Sequence, residues 1–267
     1  MNDTRNIKLI IAYDGTDFCG WQKQQRNEEN AAAHADVAVP APARSVQGVI
    51  EGALHAMHGQ PVSVCGSGRT DSGVHAAGQV ANFYTSIPGI PPERFAPALN
   101  SLLPRDVRIL ASGIAGPDFH ARFDASMRTY RYHFILKRLM LPHESRYNVH
   151  LRRYPKLETL NAYCRLILGE QDCAIFAAAG DTSASFNRFI SKAAFFIEGD
   201  RLIFEISANA FLRKMVRSVA GTFLHYEETA TPPETLRDII SSKDRSLAGP
   251  TLAPQGLFLW KVDFSRG

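Results

Sequence analysis

The chain has 267 residues, 45% of them hydrophobic and 21% charged, with a formal net charge of +4. That length suits one large domain or two modest ones, and the apolar fraction fills a core, which excludes wholesale disorder. The longest uncharged apolar stretch, near residues 173–180, falls far short of the roughly 20 residues of a membrane helix, and Asp3 and Lys8 interrupt any apolar leader, so a cytoplasmic chain with no membrane attachment is expected.

In chain order, residues 7–13 are aliphatic and β-branched and run into Asp14-Gly15, which reads as a strand and its turn. The segment 26–44 holds seven alanines and two prolines (Pro40, Pro42) between residues 31 and 43, and reads as a surface loop that does no chemistry. After Ser45, the apolar residues Val46, Val49, Ile50, Leu54 and Met57 recur at helical spacing as far as Gly59. Strands are expected at 61–65 and 79–85 around a glycine-rich turn, then a helix at 92–103 stopped by Pro104, then a strand at 107–111. The second half repeats the order: strand 128–136, helix 157–168, strands 190–197 and 202–207, helix 209–223 and strand 256–264, with an additional helix at 234–240. The expected fold is α+β: two ferredoxin-like β-α-β-β-α-β halves, 1–115 and 116–267, forming a mixed, mainly antiparallel sheet with a central active-site cleft. The halves share no residue-level self-similarity.

Charge is unevenly spread. Between residues 122 and 156, nine Lys or Arg oppose Asp124 and Glu144, a local +7, which leaves about −3 for the rest of the chain. Tyr130, Tyr132, Phe134, Tyr147 and Tyr154 interleave with these cations. The stripe suits a phosphate backbone with stacked bases, or equally a solvated strand face. Cys19, Cys65, Cys164 and Cys173 lack metal-ligand spacing and read as reduced, mostly buried thiols, while His55 and His58 read as surface residues, so no metal is expected.

The densest cluster of reactive and backbone-permissive residues runs from Gly66 to His75, Gly-Ser-Gly-Arg-Thr-Asp-Ser-Gly-Val-His. A phosphate loop would need Lys and Ser/Thr where Val74-His75 stand, and a dinucleotide fingerprint would need glycine at Asp71 and then a helix. Asp71-Ser72-Gly73 matches the short signature of aspartic proteases, but no second copy exists, and Arg69 favours an ionised carboxylate over a shared proton. Asp-Ser-Gly is also ordinary turn chemistry.

The run Gly68-Arg69-Thr70-Asp71-Ser72-Gly73-Val74-His75, followed by Gly78-Gln79-Val80, resembles the active-site motif of the tRNA pseudouridine synthase A (TruA) family. Other blocks are similar in the same order: Tyr13-Asp14-Gly15-Thr16, Gly20-Trp21-Gln22, Arg44-Ser45-Val46-Gln47, Phe119-His120-Ala121-Arg122-Phe123, Tyr130-Arg131-Tyr132, Asn209-Ala210-Phe211, Met215-Val216-Arg217, Gly249-Pro250-Thr251 and Gly256-Leu257. The departures are the long Ala/Pro segment, Asp172-Cys173 where Asp-Phe is common, and a poor match over 181–189 that retains Arg188.

The resemblance implies a tRNA pseudouridine(38–40) synthase, which isomerises uridine in the anticodon stem-loop without redox chemistry, hydrolysis, metal or cofactor. It implies Asp71 as the catalytic carboxylate, Arg217 crossing the cleft to pair with it and Tyr130 as the ring beneath a flipped-out base; Arg69 is a further substrate-binding candidate, left open by the sequence between bridging the cleft and holding a phosphate. It also implies a homodimer. Strand alternation by itself assigns Tyr130, Tyr132 and Phe134 to the core, and the resemblance reverses that for Tyr130 only. The role of His75 stays open. The alternative of another class is a non-catalytic RNA-binding module, for which no RNP1-like run is present.

Overall fold

The computed structural model describes residues 4–23 and 43–264, so almost all of the Ala/Pro segment lies outside the described residues. The elements are β1 (Arg5–Tyr13), α1 (Val46–His58), β2 (Cys65–Gly66), β3 (His75–Thr85), α2 (Phe95–Asn100), β4 (Val107–Ile114), β5 (Ala125–Ile135), β6 (Val149–His150), α3 (Leu157–Leu166), β7 (Gly169–Asp172), β8 (Asn187–Glu198), β9 (Arg201–Ala208), α4 (Met215–Glu228), α5 (Pro233–Ser242) and β10 (Leu257–Phe264). Antiparallel registers join β1 to β4, β2 to β3, β5 to β9 and β10, and β8 to β7 and β9, whereas β10–β3 and β5–β6 are parallel.

Two compact units result: residues 1–73 with 80–122, and residues 74–79 with 123–267. Strand β3 gives its first residues to the second unit and the remainder to the first. In the first unit the strands lie β4-β1-β3-β2; in the second, β10-β5-β9-β8 carry β7 on the β8 side and the start of β3 on the β10 side. Each therefore places the four strands of a β-α-β-β-α-β repeat in the order fourth, first, third, second, the ferredoxin-like arrangement expected from the sequence.

Apolar periodicity explains the packing. Helix α1 starts at Ser45, whose side chain accepts the Gly48 N–H, and ends at Gly59 in the left-handed region (φ 69°). It buries Val46, Ile50, Ala53 and Leu54, while Ile7, Leu9 and Ile11 of β1 are fully buried. Burying each such side chain stabilises the fold by about 1.5–3 kcal/mol. In the second unit Phe195 and Phe204 stack at 4.5 Å, and Phe223 of α4 meets Phe204 edge-on.

Several element boundaries differ from the sequence reading, each for a tertiary reason. Residues 61–64 are not a strand: Val64 gives its N–H to Glu51 Oε1 and its carbonyl to Gln47 Nε2, both on α1, in place of a ladder. The next strand begins at His75 and not at 79, because Gly78 marks a close approach: a Cβ there would stand 2.6 Å from the Trp260 carbonyl oxygen. Helix α2 ends at Asn100, whose side chain exchanges hydrogen bonds with the backbone of Ile109 on β4. Most consequential, residues 209–214 are not helical. Asn209 Oδ1 accepts the N–H groups of Phe189 and Ala210, and Arg213 is tied to Ala178, Ala179 and Asp181, so α4 begins only at Met215.

Candidate active site

Asp71 lies in the turn between β2 and β3 of the first unit, and that turn is held by residues far away in sequence. Gly20 forms a single antiparallel bridge with Asp71. Trp21 N–H donates to the Thr70 carbonyl at 3.2 Å, while Gly73 N–H and the Ser72 hydroxyl both donate to the Phe18 carbonyl, at 3.3 and 3.1 Å. Tyr13 and Thr70 join their buried hydroxyls at 2.8 Å. The approach needs a glycine at position 20: its φ is +113°, and a Cβ would stand 2.4 Å from the Thr70 carbonyl oxygen. Gly66 is required for the same reason, its Cβ site overlapping the Trp21 indole at 2.5 Å.

The segment Phe18–Trp21 is clamped in turn from its other side. Cys19 N–H donates to the Arg44 carbonyl, and Val46 and Gln47 at the start of α1 donate to Gly20 and Trp21. The Arg44 guanidinium grips both oxygens of Asp106, at 2.6 and 3.0 Å, and lies over the Phe18 ring at 4.2 Å. Four sequence blocks separated by up to about 60 residues therefore exist, in structural terms, to fix one turn. Asp71 itself is half-buried, and Arg69 is exposed, with no hydrogen bond or ion pair among the described residues.

Tyr130 and Arg217 belong to the second unit. Tyr130 sits in the middle of β5, 7% exposed, edge-on to Phe211 at 5.1 Å. Phe211 comes from the irregular 209–214 segment, so the ring that covers Tyr130 arrives on chain the sequence reading had assigned to a helix. The same correction moves Arg217 to the third residue of α4, whose preceding residue Lys214 adopts a left-handed conformation (φ 61°). A cation in the first turn opposes the helix dipole, so the position is chosen for something other than helix stability. Arg217 Nε donates to the Leu252 carbonyl at 2.7 Å. The block Gly249-Pro250-Thr251 packs on α4 with backbone touching backbone: a Cβ on Gly221 would collide with the Pro250 carbonyl oxygen, and Gly249 N–H donates to Thr222 Oγ1.

The other residues singled out from sequence take clear places. His75 is fully buried; its Nε2–H donates to the Gln255 carbonyl at 3.0 Å and its ring stacks on Phe258 at 4.6 Å, a structural placement. All four cysteines are free thiols, Cys164 and Cys173 buried and Cys19 and Cys65 half-buried. Burial pushes both Cys164 and Cys173 up to about 12. His58 is no simple surface residue: its two ring nitrogens bond the Leu54 carbonyl and Thr85 Oγ1. Of the basic stripe, Arg131 pairs with Glu205, Lys137 with Glu144 and Asp200, and Arg153 with Glu227 and Glu228. Arg138 and Arg152 are exposed and carry no ion pair among the described residues. Among those residues no cluster of three or more potential metal ligands occurs, and no helix is long and apolar enough to cross a membrane.

Comparison with known proteins agrees with these blocks. A family model described as tRNA pseudouridine synthase matches residues 9–124 and 163–265. The chain is 50% identical over 260 residues to tRNA pseudouridine synthase A of Treponema denticola, covering 97% of this chain and 93% of that protein. It is 47% identical to the Treponema pallidum protein of the same name, over 94% of this chain and 85% of the relative. The Caldicellulosiruptor saccharolyticus protein, again of that name, is 39% identical over 97% of this chain and 99% of its own length. The match spans the Asp71 turn and the blocks that brace it, as well as the start of α4, and the chain belongs to the tRNA pseudouridine synthase A family, isomerases that convert uridine in tRNA to pseudouridine.

Proposed function

We propose that the uridines this enzyme isomerises lie in the anticodon stem-loop, and that Asp71 is the carboxylate that acts on the ribose or the uracil ring. In this reading the N-glycosidic bond breaks, the uracil turns, and C5 joins C1′ of the sugar; N1 gains the proton that C5 gives up, so atoms balance without oxidant, water or cofactor. Tyr130 supports the flipped base by stacking, and Arg217 and Arg69 bind the substrate around it. The first half, 1–115, supplies the catalytic motif, and the second, 116–267, supplies the basic stripe for the RNA backbone. The enzyme works as a homodimer in the cytoplasm, with no membrane attachment and no metal.

The observation that carries the reading is the restraint on Asp71. Its turn is bonded on one side to Gly20, Trp21 and Phe18 and on another to Tyr13, which is far more than a connection between two strands requires. Such over-determination is what holds a reacting group in a productive geometry. Asp71→Asn keeps the shape and removes the charge. With unmodified tRNA and pseudouridine mapped by carbodiimide primer extension, turnover is expected to fall by about 100-fold or more while tRNA binding persists. Multiple turnover by Asp71→Asn protein free of deamidated material would remove Asp71 from the mechanism and favour the non-catalytic RNA-binding reading.

A further inference from the structure

In the second unit a cavity of about 290 Å³ opens beside the segment 174–181; Ala174, Ala177, Ala178 and Phe186 give it apolar walls, and its charged side chains are Arg245 and Asp181. The Arg245 guanidinium is half-buried and carries no ion pair among the described residues. Its Nε donates to the Ala177 carbonyl at 3.1 Å and its Nη2 to Thr251 Oγ1 at 3.0 Å, which leaves the Nη1 side of the fork without a protein acceptor among the described residues. The residue opens a short 3-10 turn (Arg245–Leu247) capped by Asp244, whose side chain accepts the Ser246 N–H at 2.9 Å, so its backbone is fixed. Asp181 is occupied elsewhere: Oδ1 accepts the N–H and hydroxyl of Ser183, at 2.9 and 2.6 Å, and Oδ2 accepts the Arg213 N–H at 2.9 Å. The Arg213 guanidinium, bonded to the Ala179 carbonyl at 2.6 Å, brings a second cation to the same segment.

We infer that this cavity receives one sugar–phosphate of the tRNA backbone, with the open edge of the Arg245 guanidinium on the phosphate oxygens. A guanidinium partly withdrawn from water with no carboxylate opposite it has lost hydration that an incoming anion restores. Its planar fork matches a pair of phosphate oxygens. Arg213 and Arg245 against Asp181 leave a surplus of a single positive charge, equal and opposite to that of one phosphodiester, whereas a free phosphate dianion needs more donors than one fork supplies. The cavity lies at the lower end of the range for ligand sites, about 300–1,000 Å³, which admits one sugar–phosphate but no run of bases, and its methyl and phenyl walls suit ribose carbons. Thr251, which holds Arg245, is followed by Leu252, whose carbonyl holds Arg217 Nε, so two guanidinium groups hang on consecutive residues of one segment. The phosphate is therefore that of a nucleotide at or beside the reacting uridine. This last placement rests on the reading of Arg217 as a substrate-binding residue; the phosphate cavity itself does not.

Affinity for unmodified tRNA, measured against salt for wild type, Arg245→Gln and Arg245→Lys alongside their thermal melts, tests this. Arg245→Gln is expected to weaken binding by about 5- to 20-fold at about 0.1 M salt and to reduce the slope of log affinity against log salt by about 1, with kcat within about twofold. Arg245→Lys keeps the charge without the fork, and is expected to keep the slope while losing about threefold in affinity. Transfer RNAs carrying a single neutral methylphosphonate at successive positions of the anticodon arm locate the contact. At one position the substitution is expected to weaken binding to wild type and to be silent in Arg245→Gln. Its penalty is expected to shrink by about threefold in Arg245→Lys, which serves if Arg245→Gln fails to fold. A silent position within one nucleotide of the target uridine supports both the cavity and the Arg217 reading; a silent position farther away supports the cavity and overturns the Arg217 reading alone. Unchanged affinity and slope in Arg245→Gln, with only the melting temperature lowered, overturns the inference and leaves Arg245 a brace between Ala177 and Thr251. Loss of inorganic phosphate binding with tRNA affinity unchanged assigns the cavity to a free anion and overturns it as well, as do equal methylphosphonate losses in wild type and variant at every position.

Discussion

At the scale of single residues, two glycines of neighbouring motifs show what composition conceals. Gly20 and Gly68 look alike in sequence, each beside a reactive or aromatic block. In the structure Gly20 has a positive φ and no space for a Cβ, whereas a Cβ on Gly68 would meet nothing within 4 Å. Gly20→Ala is therefore expected to destabilise the protein by about 1–3 kcal/mol and to depress turnover, since the Thr70–Asp71 backbone has to retreat. Gly68→Ala is expected to leave the melting temperature unchanged or slightly raised. Thermal melts and turnover of both variants check this; a silent Gly20→Ala would show that the turn is not held as described. Asp71 was legible as a candidate because its motif is long and specific. That the Tyr132 hydroxyl reaches the Ala253 carbonyl was not legible, since a backbone carbonyl leaves no mark in sequence.

At the scale of elements, the end of α4 ties the basic stripe to the core. Glu227, near the helix terminus, is buried, and it accepts from the Arg153 guanidinium and from the Lys156 N–H at 2.8 Å. Burial acts to raise its carboxyl, but those bonds and the two positive charges outweigh it and hold the carboxyl below its ordinary value of 4.5. A depressed carboxylate contributes stability above the unfolded-state value and loses it as pH falls through the folded-state value. Arg153→Ala is expected to cost about 1–3 kcal/mol at neutral pH, reduced from the fully buried case by the partial exposure of Arg153, and to make the acid loss of stability below about pH 4.5 shallower. Arg152→Ala, at an exposed neighbour, is expected to stay within about 0.5 kcal/mol of wild type. Urea unfolding across pH measures both, and equal effects of the two substitutions would refute the pairing. Helix existence was legible from periodicity throughout the chain. The start of α4 was not, because Asn209 and Arg213 bond to Phe189, Ala178 and Asp181, and these tertiary bonds defeat a local apolar pattern.

At the scale of the whole molecule, the fold itself decides how much of the stripe's charge remains for RNA. Arg131, Lys137 and Arg153 are occupied by carboxylates, while Arg138 and Arg152 are exposed. Replacing Arg138 and Arg152 together by Ala is expected to reduce the slope of log affinity for tRNA against log salt by about 1.5, close to two phosphate contacts. An unchanged slope would place the RNA on another surface. The sequence by itself determined the class of fold, the order of its helices and of the strands of the two repeats, though not the short β6 and β7, and the family and the aspartate turn, because each depends on local periodicity, turn residues or an unbroken motif. Only the tertiary structure decided which glycines are obligatory, where α4 begins, which cations are already paired and what holds Arg217. Each of these depends on atoms brought together from distant parts of the chain, most of them backbone atoms whose identity no side chain records.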